Sequence, residues 1–257
     1  MAAKKIRCLL ITGIILGLII SSCPAFCLTL SNEEVLKLQS NLEGKTLGEK
    51  IVFWTERFIS TPYDKDPQGE YVTRAVIVAD ERVDCMYLTF RAVELALSRT
   101  PDEAIQIALD KRFHSRGVLK DGKVTNYGDR FEYGEDMIQS GKWGREMTPE
   151  IGRTIRIQGS RGQEFLEILP SAEIKKRIRK LKSGDLIFFI KAPEKRLVGE
   201  GVAHIGTVAV EGNGSHKKFY LIHASGTKSK GGAVKKVPLR DYLARMSFIG
   251  VKVTRFE

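Results

Sequence analysis

The sequence predicts an α+β fold in which N-terminal helices pack on a mostly antiparallel sheet. Capping signals crowd the first half: Ser31-x-x-Glu34 and Thr46-x-x-Glu49 are capping boxes, and Thr100-Pro101-x-Glu103 opens a further helix with proline in its first turn. Short apolar and β-branched runs follow at 186–190, 202–210, 219–224 and 248–254, separated by turn residues. The length, 257 residues, suits a single domain with a sizeable core once a leader is set aside.

That leader is written at the N-terminus. Lys4, Lys5 and Arg7 precede an apolar run over 8–20, which is too short and wrongly flanked for a membrane span. Ile20-Ser21-Ser22-Cys23 has the form of a lipoprotein box, in which Cys23 would be acylated and become the new N-terminus. Cleavage near Cys27 and an uncleaved anchor are the alternatives. Residues 1–27 are therefore read as a secretory leader and 28–257 as one domain, exported and either periplasmic or held at a membrane through an N-terminal lipid. Three basic charges of the net +11 lie in the leader, and the basic remainder suits anionic surfaces such as a cell wall or lipid headgroups. Nucleic acid is not an expected partner, and the protein is expected to be a monomer.

In the body, Leu47, Ile51, Trp54 and Phe58 recur at helical spacing as a core stripe, and Thr61-Pro62 ends that helix. Residues 71–79 read as a strand or an extended arm. Next comes Asp84, a helix N-cap type, followed by Cys85, with Leu88, Ala92 and Leu95 sharing its face of the helix. Residues 127–144 mix glycine and aromatics, either as an insertion walling a cleft or as a satellite core cluster. The basic run at 174–181 reads as a solvated amphipathic helix, with Ile174, Ile178 and Leu181 on its apolar face. Pro238 opens a short helix before the closing strand.

Cys85 is the only thiol outside the leader, which excludes a disulfide framework within the body. On the first turn of a helix it meets the positive end of the macrodipole, which favours thiolate. Asn213-Gly214 signals a two-residue type I′ hairpin, and that turn would place His204 directly across from His223 on one sheet face. A thiol, a histidine to exchange its proton and a second polar group to orient that histidine form an activated nucleophile. Backbone N–H groups at the start of the helix could hold the oxyanion. His114 and His216 are expected at the surface.

The strings VDC (83–85), SGDLIFF (183–189), AHIGTVAV (203–210) and LIHASG (221–226), in that order, resemble the NlpC-type cell-wall cysteine hydrolases, which have a papain-like fold. STPY at 60–63 is similar to the tight turn that precedes the nucleophile in such enzymes. The segment 128–148 resembles an N-acetylmuramoyl-L-alanine amidase-like branch. The resemblance covers roughly 45–257. It implies Cys85 as nucleophile, His204 as general base and acid, and His223 as the orienting residue. It also implies Tyr63 beside the oxyanion or substrate amine, Asp84 flanking the substrate pocket, and no metal or cofactor. The sequence departs from the family in the bulky Met86-Tyr87-Leu88 that follows the cysteine, which bears on substrate choice.

The function expected is hydrolysis of an amide bond in peptidoglycan stem peptide. Two alternatives remain: an N-acetylmuramoyl-L-alanine amidase that separates sugar from peptide, and a catalytically silent wall-binding lipoprotein of the same fold.

Overall fold

The computed structural model describes residues 30–64, 69–197, 199–227 and 231–257. Cys23 and the rest of the leader lie outside the described residues.

The helices begin where the sequence caps them. In α1 (Asn32–Asn41) and α2 (Leu47–Arg57), Ser31 and Thr46 accept from the N–H groups of Glu34 and Glu49, whose carboxylates reach back to the cap residues. Residues 71–79 do not form a strand. This part of the chain contains a single helical turn, α3 (Glu70–Thr73), and an irregular arm leading to Asp84. Then come α4 (Cys85–Leu97), capped by Asp84, and α5 (Pro101–Lys111), capped by Thr100.

A small hairpin, β1 (Leu119–Lys120) and β2 (Lys123–Val124), precedes α6 (Gly134–Gln139), β3 (Arg145–Glu146) and α7 (Thr148–Ile151). The remaining elements are β4 (Ile155–Gln158), β5 (Phe165–Pro170), α8 (Ser171–Arg177), β6 (Leu186–Ile190), β7 (Val202–Glu211), β8 (Lys218–Thr227), β9 (Gly231–Pro238), α9 (Leu239–Arg245) and β10 (Gly250–Arg255). They form one sheet in the order β4-β5-β10-β6-β7-β8-β9, with β3 also paired to β10. Every ladder between these strands is antiparallel. The fold class is therefore α+β, as the sequence predicts.

The sheet is covered on both faces. Leu186, Phe188, Ile190 and Ile205 join the core of α1, α2 and α4, whereas Ile187, Phe189, Val208, Val251 and Val253 meet Ile174 of α8 and Leu239 and Leu243 of α9. β6 is buried along its whole length, which explains why its sequence is uniformly apolar rather than alternating. α4 is buried from Tyr87 to Ala96 on all sides, not along one stripe. Its charges are internal: Glu94 and Arg112 pair at 2.6 Å, and Arg91 and Asp80 pair at 3.0 Å. The turn into β6 crosses α2 closely. Gly184 has φ of 85°, and a Cβ there would lie 2.4 Å from the Gly48 Cα.

Candidate active site

Cys85 is the first residue of α4. Asp84 Oδ1 accepts from the Tyr87 N–H at 2.7 Å, capping the helix, while its Oδ2 accepts from the Tyr71 hydroxyl at 3.2 Å. The arm before it is clamped: the N–H of Tyr63 donates to Gly232 O in β9 at 2.8 Å, and Val83 N–H donates to Pro62 O at 3.1 Å. The Tyr63 ring lies so close to Gly226 that a Cβ there would be 2.7 Å from Cδ1. These contacts fix the phenol next to the nucleophile helix. Its hydroxyl is pushed up to about 12 by burial and by the neighbouring Cys85, Asp84 and Asp64.

The histidines come together by a register other than the one expected. β7 and β8 pair as Thr207↔Ile222, Val208↔Leu221 and Val210↔Phe219, two residues displaced from the Asn213-Gly214 register. Asn213 is extended, with φ of −125°, and a 3₁₀ turn over Gly214–His216 makes a longer loop. A type I′ turn cannot form with that backbone. An even displacement keeps both histidines on one face, so they become diagonal rather than direct neighbours. Their rings meet edge-to-face with His204 Nε2 and His223 Nδ1 2.8 Å apart. The His204 ring lies 6.0 Å from Phe189 and 6.2 Å from Tyr242, and Tyr242 stands 4.8 Å from His223.

The β7–β8 ladder stops at Thr207↔Ile222, short of both histidines. There the N-terminus of α4 packs on β7, which brings the Ile205 N–H, next to His204, near enough to the Cys85 sulfur to favour its charged form. One nitrogen of the histidine pair must carry the shared proton. With His204 Nε2–H donating, its Nδ1 keeps a lone pair and can take another proton.

Electrostatics at the thiol differ from the thiolate expectation. Burial pushes the Cys85 thiol up to about 12, the Asp84 carboxylate adds to this, and the N–H groups of Ile205, Cys85 and Met86 only partly oppose it. Asp84 is itself raised, by burial first and then by Asp64. Burial lowers His204 to about 3, with His223 contributing, and lowers His223 to about 4, with Lys235 contributing. Burial therefore favours the uncharged form of both the thiol and the imidazole.

Cys85 opens onto a cleft of about 670 Å³, shared with Tyr63, Tyr71, Asp84, Met86, Arg130 and Tyr133. The segment 127–144 thus does both things its composition suggested. Arg130 and Tyr133 wall the cleft, while Trp143 is buried against Phe90 at 4.7 Å. His114 is exposed and packs edge-on against Phe131. Among the described residues, no three His, Cys, Asp or Glu side chains cluster as metal ligands.

Solved structures share this architecture. An N-acetylmuramoyl-L-alanine amidase from Bacteroides uniformis aligns over 82% of this chain and 99% of its own, with 21% identity and a TM-score of 0.59. A Legionella pneumophila protein of the DUF1460 family aligns over 86% and 93%, with 14% identity and a TM-score of 0.62. A Bacteroides fragilis protein with a provisional xylanase name aligns over 79% and 99%, with 19% identity and a TM-score of 0.57. This chain has their fold. No protein-family model matches the sequence, and no curated protein matches it. The fold is thus shared by proteins with differing names, and chemistry must be argued from the site.

Tyr242 and Arg130 are the site residues that sequence reading missed. Tyr242 sits on a helix whose spacing signals only its buried Leu239 and Leu243. Arg130 belongs to a segment without periodicity.

Proposed function

We propose that this protein is an exported cysteine hydrolase that cleaves an amide bond of peptidoglycan, with Cys85 as nucleophile, His204 as base and acid, and His223 as the residue that orients His204. The observation carrying this reading is the 2.8 Å bond between His204 and His223 on β7 and β8, the strands on which α4 packs with its first residue, Cys85, opening to a cleft. The name of the Bacteroides uniformis neighbour supports the peptidoglycan amide as substrate and favours the bond between N-acetylmuramic acid and L-alanine. Cleavage within the stem peptide is the other reading of the same chemistry. Both rest on the ordered motifs around Cys85, His204 and His223.

The Cys85 thiol gives its proton to His204 Nδ1 as sulfur attacks the amide carbon. The N–H groups of Cys85 and Met86, which favour negative charge at the sulfur, would hold the oxyanion, with the Tyr63 hydroxyl alongside. His204 then protonates the leaving amine, and the C–N bond breaks to leave a thioester. Water, deprotonated by His204, attacks the thioester, and the proton returns to sulfur as the acid departs. Asp84 shapes the pocket and holds the first turn of α4. The leader would deliver the protein outside the cytoplasm, and acylation of Cys23 would hold it at a membrane.

Digesting purified peptidoglycan and identifying the fragments by mass spectrometry tests the reaction and its bond together. New amine ends should appear with wild type and be absent with Cys85→Ala. Identical fragment profiles for the two would remove Cys85 as nucleophile.

A further inference from the structure

Among the described residues, Arg130 is the one cation lining the nucleophile's cleft. Its position is built rather than incidental. Its backbone bridges to Phe113, its Nη1 donates to Tyr127 O at 3.2 Å, and its guanidinium stacks over the Tyr127 ring at 5.6 Å. Its side chain retains 21% exposure, so the head reaches the cleft while the stem is packed. The only carboxylate paired with it among the described residues is Glu132, at 3.2 Å, and that side chain is 47% exposed. A pair so open to water contributes little and exchanges readily. A guanidinium has five N–H donors, and these two partners leave several unused on a fork that matches a carboxylate.

We infer that Arg130 is a specificity residue that binds a free carboxylate of the peptide substrate, displacing Glu132 as it does so. The inference rests on the proposed amide hydrolysis and adds to it a preference for acidic over amidated peptide. Bidentate pairing would anchor the peptide beside Cys85 without taking part in bond breaking, so the benefit falls on binding. Glu132 is the built-in competitor. It keeps the empty cleft neutral at that point and yields to a better-aligned carboxylate.

Two probes differ only in these groups: N-acetylmuramoyl-L-alanyl-D-glutamic acid and its diamide. With the wild-type protein the diacid should have a KM about tenfold or more below that of the diamide, with similar kcat, the size a charge-assisted bond carries. Arg130→Gln should raise the diacid KM to that of the diamide, and Arg130→Lys should recover part of the difference through charge alone. Glu132→Gln should lower the diacid KM about two- to fivefold by removing the competitor. The same ranking should appear in dissociation constants measured on a Cys85→Ala background, which separates binding from turnover. If Arg130→Gln slows both probes equally, or Glu132→Gln weakens the diacid, Arg130 does not read a carboxylate and the hydrolytic reading stands. If wild type cleaves neither the probes nor intact peptidoglycan, the hydrolytic reading and this inference fall together.

Discussion

Replacing His223 with phenylalanine keeps a ring of similar size and removes the nitrogen 2.8 Å from His204 Nε2. His223 is only 4% exposed, so water does not easily supply a substitute partner. A buried donor left unsatisfied costs about 1–3 kcal/mol, which sets the expected loss of stability. The kinetic loss should be larger. Without its partner, His204 can carry its proton on the nitrogen that should receive one from Cys85, and losing the orienting group of a catalytic imidazole typically lowers turnover by about 10²–10⁴-fold. His223→Asn returns an acceptor near the Nδ1 position and should recover part of both. Urea unfolding gives the first quantity, and kcat/KM on peptidoglycan fragments gives the second. If His223→Phe lowers stability but leaves kcat/KM unchanged, the pair is a packing feature and the mechanism is wrong.

The same burial predicts acid sensitivity. His204 and His223 are lowered from 6.5 to about 3 and about 4, so between those values and 6.5 the unfolded chain binds more protons than the folded one. Stability should be complete above pH 6.5 and fall by roughly 2–4 kcal/mol between pH 7 and 5, measured by urea midpoints. A rise in stability over that interval would contradict the assignment. Gly226→Ala should displace both the Gly231 backbone and the Tyr63 ring, cost about 1–3 kcal/mol and reduce activity, because the new methyl would sit 2.6 Å from the Gly231 carbonyl oxygen and 2.7 Å from Tyr63 Cδ1. Thermal unfolding and kcat/KM would report the two effects, and wild-type values for both would show the ring is free to move. Arg112→Met leaves the buried Glu94 with only the longer 3.8 Å pair to Arg91 and should cost about 3 kcal/mol, whereas Arg112→Met with Glu94→Leu should recover much of that loss. Equal urea midpoints for the single and double variants would show that the pair is not what holds α4.

Local signals in the sequence carried far where they were short-ranged. Ser31, Thr46, Asp84 and Thr100 each cap the helix they announce, because a cap depends only on residues three positions away. β6 matched its apolar run residue for residue. The hairpin register did not follow Asn213-Gly214. Loop length depends on where the strands stop pairing, which the β8–β9 ladder and the clamped arm also influence. β9, with sequence GGAVKKVP, has too little alternation to be read as a strand and forms because β8 and the Pro62 arm supply partners. The thiol's electrostatics depart from the sequence expectation for a related reason. The helix N-terminus is visible in sequence, but the burial of Cys85 and its nearness to the Asp84 carboxylate are tertiary, and together they outweigh it. Internal charges such as Glu94 and Arg112 look solvent-facing until their partners are known.

The dependence of Cys85 on His204 can be measured without any substrate. Once the leader is removed, Cys85 is the only thiol in the chain, so its alkylation by iodoacetamide is read directly by intact mass. At pH 7 the wild-type thiol should react at least about tenfold faster than the thiol of His204→Phe, since the imidazole is the group that removes its proton. Equal rates in the two proteins across pH 6–9 would mean that sulfur and imidazole do not work together.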